Sequence, residues 1–137
     1  SHRRITVSTV GLVPAMKKLA AELPVNLAIS LNATTEAQRR TVMPLTRRYS
    51  LAMLMETCAT LPLPTGKRIA FEYVMMQGFN ASMEDAARLV ALMKPIADRA
   101  KVNLIPYNAT RVPFIFPGQK LVVFDVGELI DGDSIAM

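Results

Sequence analysis

The sequence is poor in the residues that metal centres and many catalytic sites use. Its 137 residues include one cysteine, one histidine and no tryptophan. A single cysteine excludes an internal disulfide, and no Cys/His set exists that could hold zinc. The one histidine, His2, lies near the start of the chain, so no Ser–His–Asp arrangement can be argued. Neither GxGxxG nor a P-loop is present, so no common catalytic or phosphate-binding motif points to a reaction.

Long hydrophobic runs are also missing, because charged residues interrupt every apolar stretch before it reaches the roughly 18 residues of a membrane span. The first ten residues, SHRRITVSTV, lack the apolar centre of a secretory signal. Together with the lone cysteine, this predicts a cytoplasmic protein without a membrane partner.

Basic residues exceed acidic ones, 16 against 11, which gives a net charge of +5. The excess favours polyanionic partners such as RNA. Many of the basic residues stand in pairs: Arg3–Arg4, Lys17–Lys18, Arg39–Arg40 and Arg47–Arg48. Aromatic residues are not interleaved with them as on a base-stacking platform. Two interpretations stay open, namely solvated helix and loop faces, or contact with phosphates.

Hydrophobic patterning predicts four strands that alternate with helices. The apolar or β-branched runs cover residues 4–9, 25–31, 68–76 and 102–107. Helix signals separate them: a proline in a first turn, a Thr–x–x–Gln capping box, and Ser caps. The relevant residues are Pro14, Thr35 with Gln38, Ser50, and Ser82 with Asp85. The order βαβαβαβ is typical of an α/β fold with a parallel sheet.

Beyond residue 110 the pattern changes. Residues 111–137 contain an irregular stretch, one run that reads as a further strand (KLVVFDV, 120–126), and an acidic end. We therefore divide the chain into a 1–110 α/β unit and a 111–137 tail.

The predicted strands end in polar residues. Ligands bind at the carboxyl ends of the strands in parallel α/β folds. The polar residues at the predicted strand ends are Ser8 and Thr9, Ser30 and Asn32 around Leu31, and Asn108; Glu72 lies inside the third strand. Hydroxyls and amides suit a neutral ligand that forms hydrogen bonds. The structural alternative is that the Ser, Thr and Asn residues cap turns or helices, and that Glu72 pairs with a lysine or arginine of a neighbouring strand. The remaining reactive group, Cys58, lies on the apolar stripe of a predicted helix, which favours an inert core thiol.

Four segments resemble one enzyme family: RRITVSTVGLVP, LAISLNATTEAQRRTVMPLTRRYSL, RIAFEYVMMQGFNAS and KVNLIPYN. They look like the radical S-adenosylmethionine (SAM) enzymes that methylate carbon 2 of adenine in 23S ribosomal RNA and, in some members, transfer RNA. The resemblance runs from about Arg3 to Asn108. It implies that residues 1–110 form the C-terminal half of a partial (β/α) barrel.

The resemblance also implies a cofactor site. Ser8, Ser30, Leu31, Asn32 and Asn108 match positions that hold SAM, with an amide at Asn32 where many members have histidine. Independently of the resemblance, the paired basic residues make Arg39, Arg40, Arg47 and Arg48 the predicted RNA-binding residues.

The sequence departs from the family in its cysteines. The family holds a [4Fe–4S] cluster through a CxxxCxxC loop and uses two further cysteines, none of which this chain contains. We therefore expect a fragment that binds SAM weakly and does not turn over alone, and whose exposed sheet edges favour self-association. The alternatives are a non-catalytic RNA-binding or assembly module that uses the paired arginines, or another radical SAM or barrel enzyme.

Overall fold

The computed structural model describes residues 5–107 and 122–125. Five strands form one sheet: β1 (Thr6–Thr9), β2 (Asn26–Ser30), β3 (Ile69–Met75), β4 (Ala100–Pro106) and β5 (Val122–Asp125). The strands lie side by side in chain order, the first four parallel and β5 antiparallel to β4. The predicted parallel α/β fold is confirmed.

Four helices occupy the crossovers: α1 (Val13–Glu22), α2 (Glu36–Val42), α3 (Leu51–Thr60) and α4 (Met83–Met93). A 3₁₀ turn, Pro44–Arg47, follows α2, and another, Lys94–Ile96, follows α4. The crossover from β2 to β3 is the longest because it contains both α2 and α3.

The helices begin where the sequence signals predicted. The hydroxyls of Thr35 and Ser50 accept backbone N–H groups in the first turns of α2 and α3. Ser82 and Asp85 form a complete capping box at the start of α4. At α2 only half of the box is present, because the Gln38 side chain accepts from the Thr34 N–H (2.9 Å) rather than from Thr35.

One face of the sheet carries the hydrophobic core. Alternate residues of the central strands point at the helices, since side chains along a strand alternate between the two faces. The buried members from the sheet are Leu27, Ile29, Ile69, Phe71, Tyr73, Val102 and Leu104, and they pack against Met16, Leu54, Cys58, Leu89 and Met93 of α1, α3 and α4. The described helices cover one face only, which is typical of a section of a (β/α) barrel, whereas an open doubly wound sheet is covered on both.

Leu23, just after α1, does not lie where the apolar pattern predicts. Apolar spacing predicts Leu23 on the inward face of α1, but it follows the last residue of the helix and is 40% exposed. Extended backbone at Leu23 turns the chain toward Pro24 and β2, so its side chain leaves the core.

Candidate functional site

The opposite face of the sheet is polar and bears no described helix. Its residues run in rows across the strands, because in-register neighbours of parallel strands share a face. Ser8 stands beside Ala28, and Ser30 stands beside Glu72, which in turn stands beside Asn103. Only the two small residues Ala28 and Ala70 are buried along these rows. This polar face is the surface on which a ligand can reach the strand ends.

Ser8 and Ser30 come together as predicted. Ser8 is exposed on β1, and Ser30 is half-buried at the end of the adjacent strand β2. Since Ser8 pairs with Ala28, Ser30 lies two residues further along the neighbouring strand and on the same face. Two hydroxyls at one sheet edge can each donate and accept a hydrogen bond to a polar ligand.

Asn32 has a backbone conformation that few side chains tolerate. Its φ is +57°, in the left-handed region where asparagine is enriched among non-glycine residues. Its Oδ1 accepts the N–H of Val74 at 2.8 Å, which fixes the end of β2 to β3. What the Asn32 amide can offer a ligand is therefore its Nδ2 donor.

Asn80 holds the same corner from the loop after β3. It is 1% exposed, and its Nδ2 donates to the carbonyls of Asn32 (2.8 Å) and Val74 (2.9 Å). Its own carbonyl accepts the hydroxyl of Tyr73 at 2.7 Å. Burial, with Asp85 nearby, raises the pKa of Tyr73 above its ordinary value, so the phenol stays protonated and donates this bond. Asn80 belongs to the third of the four family-like segments, but the sequence did not predict that it locks this corner.

Asp85 anchors the loop between Asn32 and α2. Its carboxylate lies within hydrogen-bond distance of Thr34 Oγ1 (3.0 Å), Gln38 Nε2 (2.8 Å), Arg88 Nη2 (2.6 Å) and Ser82 Oγ (2.7 Å). Burial opposes ionisation, but the hydrogen bonds from Gln38, Ser82 and Arg88 outweigh it and hold the pKa of Asp85 well below its usual range. An acid that stays ionised in this way fixes structure and is unsuited to proton transfer near neutral pH.

Leu31 has little to offer a ligand directly. Its side chain is 0% exposed in the core, and its N–H donates to the carbonyl of Glu72 at 2.9 Å. The Leu31 carbonyl accepts from Arg39 Nε at 3.2 Å. The predicted SAM contact of Leu31 is thus restricted to a carbonyl oxygen that is already engaged.

The four arginines predicted to meet RNA fall into two groups, and one prediction needs correction. Arg40, Arg47 and Arg48 are exposed on the segment formed by α2 and its 3₁₀ turn, with the Arg48 guanidinium 5.8 Å from the ring centre of Tyr49. Arg39 is 0% exposed. The Arg39 side chain turns under the strand ends and donates to backbone carbonyls, so it cannot reach a phosphate from this position.

Glu72 and Asn103 extend the polar row beyond the residues that the resemblance assigned to SAM; the sequence had pointed to Glu72 but not to Asn103. Asn103 was not singled out from the sequence, because it lies inside an apolar strand, KVNLIPY. Its Oδ1 is buried and has no hydrogen-bond partner. Since buried polar atoms are nearly always satisfied, an acceptor beside the Glu72 carboxylate suits a ligand that brings N–H or O–H donors. The signal for both residues is a polar side chain at alternate positions of buried strands.

The geometry of the chain is shared with known proteins. No family model matches it. RlmN, a dual-specificity RNA methyltransferase of Anaeromyxobacter sp. (strain Fw109-5), is 56% identical over 124 residues, which make up 90% of this chain and 32% of the relative. RlmN of Syntrophotalea carbinolica is 44% identical over 138 residues, covering 100% of this chain and 37% of the relative.

The chain is homologous to a segment of the RlmN dual-specificity RNA methyltransferases. A solved structure agrees: a radical SAM methyltransferase from Sphaerobacter thermophilus superposes with a TM-score of 0.77 and 37% identity, over 98% of this chain and 39% of that one. The predicted resemblance is confirmed. The chain spans about a third of the length of the curated relatives it matches.

The residues of this segment do not fit an iron–sulfur cluster. Thiolates are the usual cluster ligands, and the sequence has only Cys58. Cys58 is 0% exposed on α3. Burial raises the pKa of its thiol to about 12, which confirms the predicted inert core thiol. Among residues 5–107 and 122–125, no group of three His, Cys, Asp or Glu side chains could hold a metal ion.

The polar face is compatible with SAM, whose ammonium, ribose and adenine groups supply hydrogen-bond donors for Glu72 and the Asn103 oxygen. Asn108, the last predicted SAM residue, lies outside the described residues.

In the part of the chain that the structure describes, no helix has both the length and the apolar character needed to cross a membrane.

Proposed function

We propose that this chain carries part of the SAM site of an RNA methyltransferase that acts on carbon 2 of adenine in 23S ribosomal RNA, and on transfer RNA, in the cytoplasm. The observation that supports this most is the polar row of Ser30, Glu72 and Asn103, which crosses β2 to β4 on the face that bears no described helix. The homology to the RlmN enzymes supplies the reaction class.

In this proposal the residues of the chain bind and orient SAM. Ser8 and Ser30 provide hydroxyls, Asn32 provides its Nδ2 donor, and Asn108 completes the set. Glu72 and Asn103 accept donors from the ribose or the ammonium group. When SAM binds beside a reduced [4Fe–4S] cluster, radical chemistry becomes available, but no cluster ligands belong to this chain. We therefore propose binding without turnover for the isolated chain.

The test is a calorimetric titration of the 137-residue chain with SAM. We expect measurable binding that Ser30→Ala weakens by about 5- to 10-fold, since one hydrogen bond contributes about 1 kcal/mol. Thr6→Ala is the matched control, because Thr6 is an exposed hydroxyl on the polar face at the other end of β1. Equal weakening by both substitutions, or no binding to the unmodified chain, would reject the proposal.

A second candidate is an RNA-binding role that does not depend on SAM. The exposed guanidinium groups of Arg40, Arg47 and Arg48 favour it, since arginine contacts phosphates in fixed, forked geometry. This function predicts RNA affinity that falls with salt and does not change when SAM is added. The self-association expected from the sheet edges stays a prediction.

A further inference from the structure

Arg39 is a buried cation without a carboxylate partner in the described part of the chain. Among the described residues, no acidic oxygen lies within ion-pair distance of its guanidinium, although Glu36 is near enough to favour the charged form. Burial lowers the pKa of Arg39, yet arginine stays protonated in proteins. Burying an unpaired charge is costly unless hydrogen bonds replace its hydration, so the position of this side chain calls for a structural reason.

The guanidinium finds that compensation in backbone carbonyls at the sheet edge. Nη2 donates to Val10 O at 2.7 Å and to Ser30 O at 3.0 Å. Nε donates to Leu31 O at 3.2 Å, and Nη1 lies 3.4 Å from Thr46 Oγ1. Three of the four acceptors are backbone carbonyls that lie just beyond the last β1–β2 pair, Thr9 with Ile29.

The Arg39 side chain connects β1 and β2 just beyond the point where their strand pairing ends. The ladder between β1 and β2 ends with Thr9 beside Ile29. Val10 and Ser30 are the residues that come next in the chain, and a single nitrogen, Arg39 Nη2, donates to both of their carbonyls. The guanidinium thus fixes the separation of the two strand ends, as one more rung of the ladder would.

Gly11 provides the room for this contact. Its φ is +108°, and a Cβ added there would lie 3.3 Å from Arg39 Nη2 and 3.4 Å from two carbons of Leu54. A side chain at position 11 would therefore press on the guanidinium as well as strain the backbone. The sequence allows the close approach because a glycine lies two residues after the end of the first strand.

We propose that Arg39 is a positioning residue for the cofactor site, acting through the backbone of β1 and β2 on Ser8, Ser30 and Asn32. This inference deepens the proposed function and rests on it. Arg39 itself does not touch the ligand. Its forked donors set the spacing of the two strand ends, and lysine, a point donor without the planar fork, cannot reproduce this.

The test compares Arg39→Lys with Arg99→Lys. Arg99, the residue before β4, is the matched control. Its Nη1 also donates to two backbone carbonyls, those of Cys58 and Ala59 (2.9 Å each), but these lie near the end of α3 and not at the ends of β1 and β2. Each variant is titrated with SAM by calorimetry, and amide hydrogen exchange is followed by NMR at Leu31, whose N–H bonds Glu72 O.

We expect Arg39→Lys to weaken SAM binding by about 10-fold or more, a difference of about 1.4 kcal/mol, at unchanged binding stoichiometry. Arg39→Lys should speed amide exchange at Leu31 more than it speeds exchange at Phe71, in the middle of β3. Arg99→Lys should leave the SAM dissociation constant unchanged. A purely structural role would instead lower the fraction of binding-competent protein and leave the dissociation constant of the remainder unaltered, and that result would overturn the proposal.

Two further outcomes are distinguishable. If the unmodified chain does not bind SAM, the proposed function fails, while faster exchange at Leu31 in Arg39→Lys alone would still support the positioning of the strand ends. Unchanged exchange at Leu31 overturns the positioning role whatever the chain binds. If Arg39→Lys does not fold, Thr46→Val, which removes only the 3.4 Å contact, should shift affinity in the same direction by about 2-fold, and no shift would count against the proposal.

Discussion

The two faces of the sheet are built from the same strands but differ in chemistry: one is apolar and buried, and the other carries polar side chains. On the helix-covered face, Phe71, Ile29 and Val102 are 0% exposed and surrounded by apolar side chains. On the other face, Glu72, Ser30 and Asn103 alternate with them, and Asn103 Oδ1 is left without a partner. Apolar burial stabilises the fold, whereas an unsatisfied acceptor costs stability. The difference indicates that one face stabilises the fold, whereas the other leaves polar groups available and carries the proposed cofactor site.

The largest effect should follow from a change on the covered face. Phe71→Ala removes a fully buried aromatic ring, and we expect a loss of about 3–5 kcal/mol in the free energy of unfolding. Urea denaturation measures it. Glu72→Ala is the control, since it is the next residue of the same strand on the opposite face, and it should change stability by less than about 1 kcal/mol. Similar losses from both substitutions would contradict the division between the faces.

A smaller effect is expected at the polar corner. Asp85→Asn replaces a charged acceptor that several donors share, and we expect a loss of about 2–3 kcal/mol. Because folding lowers the pKa of Asp85, its stabilisation is fully present above the unfolded value of ~3.9 and is lost as pH falls below it.

Thermal unfolding from about pH 7 to about pH 2 tests this linkage. The unmodified chain should lose stability steeply in the acid range, and Asp85→Asn should show a shallower slope there. Parallel slopes for the two proteins would show that other carboxylates carry the acid sensitivity.

The smallest effect on stability should come from the exposed arginines. Replacing Arg40, Arg47 and Arg48 by Gln should alter the free energy of unfolding by no more than about 0.5 kcal/mol each. If the segment binds single-stranded RNA, affinity should fall, and the salt dependence should drop by about 0.7 for each phosphate that the variant no longer neutralises. Filter binding against salt measures both quantities.

The control replaces three exposed lysines elsewhere, Lys17, Lys18 and Lys94, by Gln. An equal drop with this control would mean that net charge alone attracts the RNA, and it would remove the support for a defined RNA-binding segment.

The order of elements could be predicted because each predicted strand is a short run of apolar or β-branched residues and each helix has a start signal. That signal is a proline in α1 and a capping side chain in α2, α3 and α4. The rule that parallel strands end at one rim of the sheet also brought Ser8 and Ser30 together in the prediction, and the structure places them on one face of adjacent strands. The fate of Arg39 could not be predicted from its pairing with Arg40, since adjacent residues on a helix point about 100° apart and one of them turned inward. A signal did exist: Arg39 lies four residues before Met43, which is also buried, so the two share a face of the chain.

Residues 31–34 also combine features that local patterns do not reveal. The left-handed conformation of Asn32 is set by bonds to Val74 and Asn80, more than forty residues away in the chain. Long-range partners of this kind depend on the assembled sheet. The sequence therefore indicated the location of the site but not the hydrogen bonds that hold it in place.

The parallel order of the strands also bears on how fast the chain folds. No two neighbouring parallel strands can form a hairpin, so each pairing must close a long loop before any contact offsets its entropy. The longest closure joins Ala28 of β2 to Ala70 of β3, and the link between Thr34 and Asp85 spans 51 positions. We expect the step that unites β2 with β3 to limit the folding rate, and the ligand-binding corner to be completed only after it.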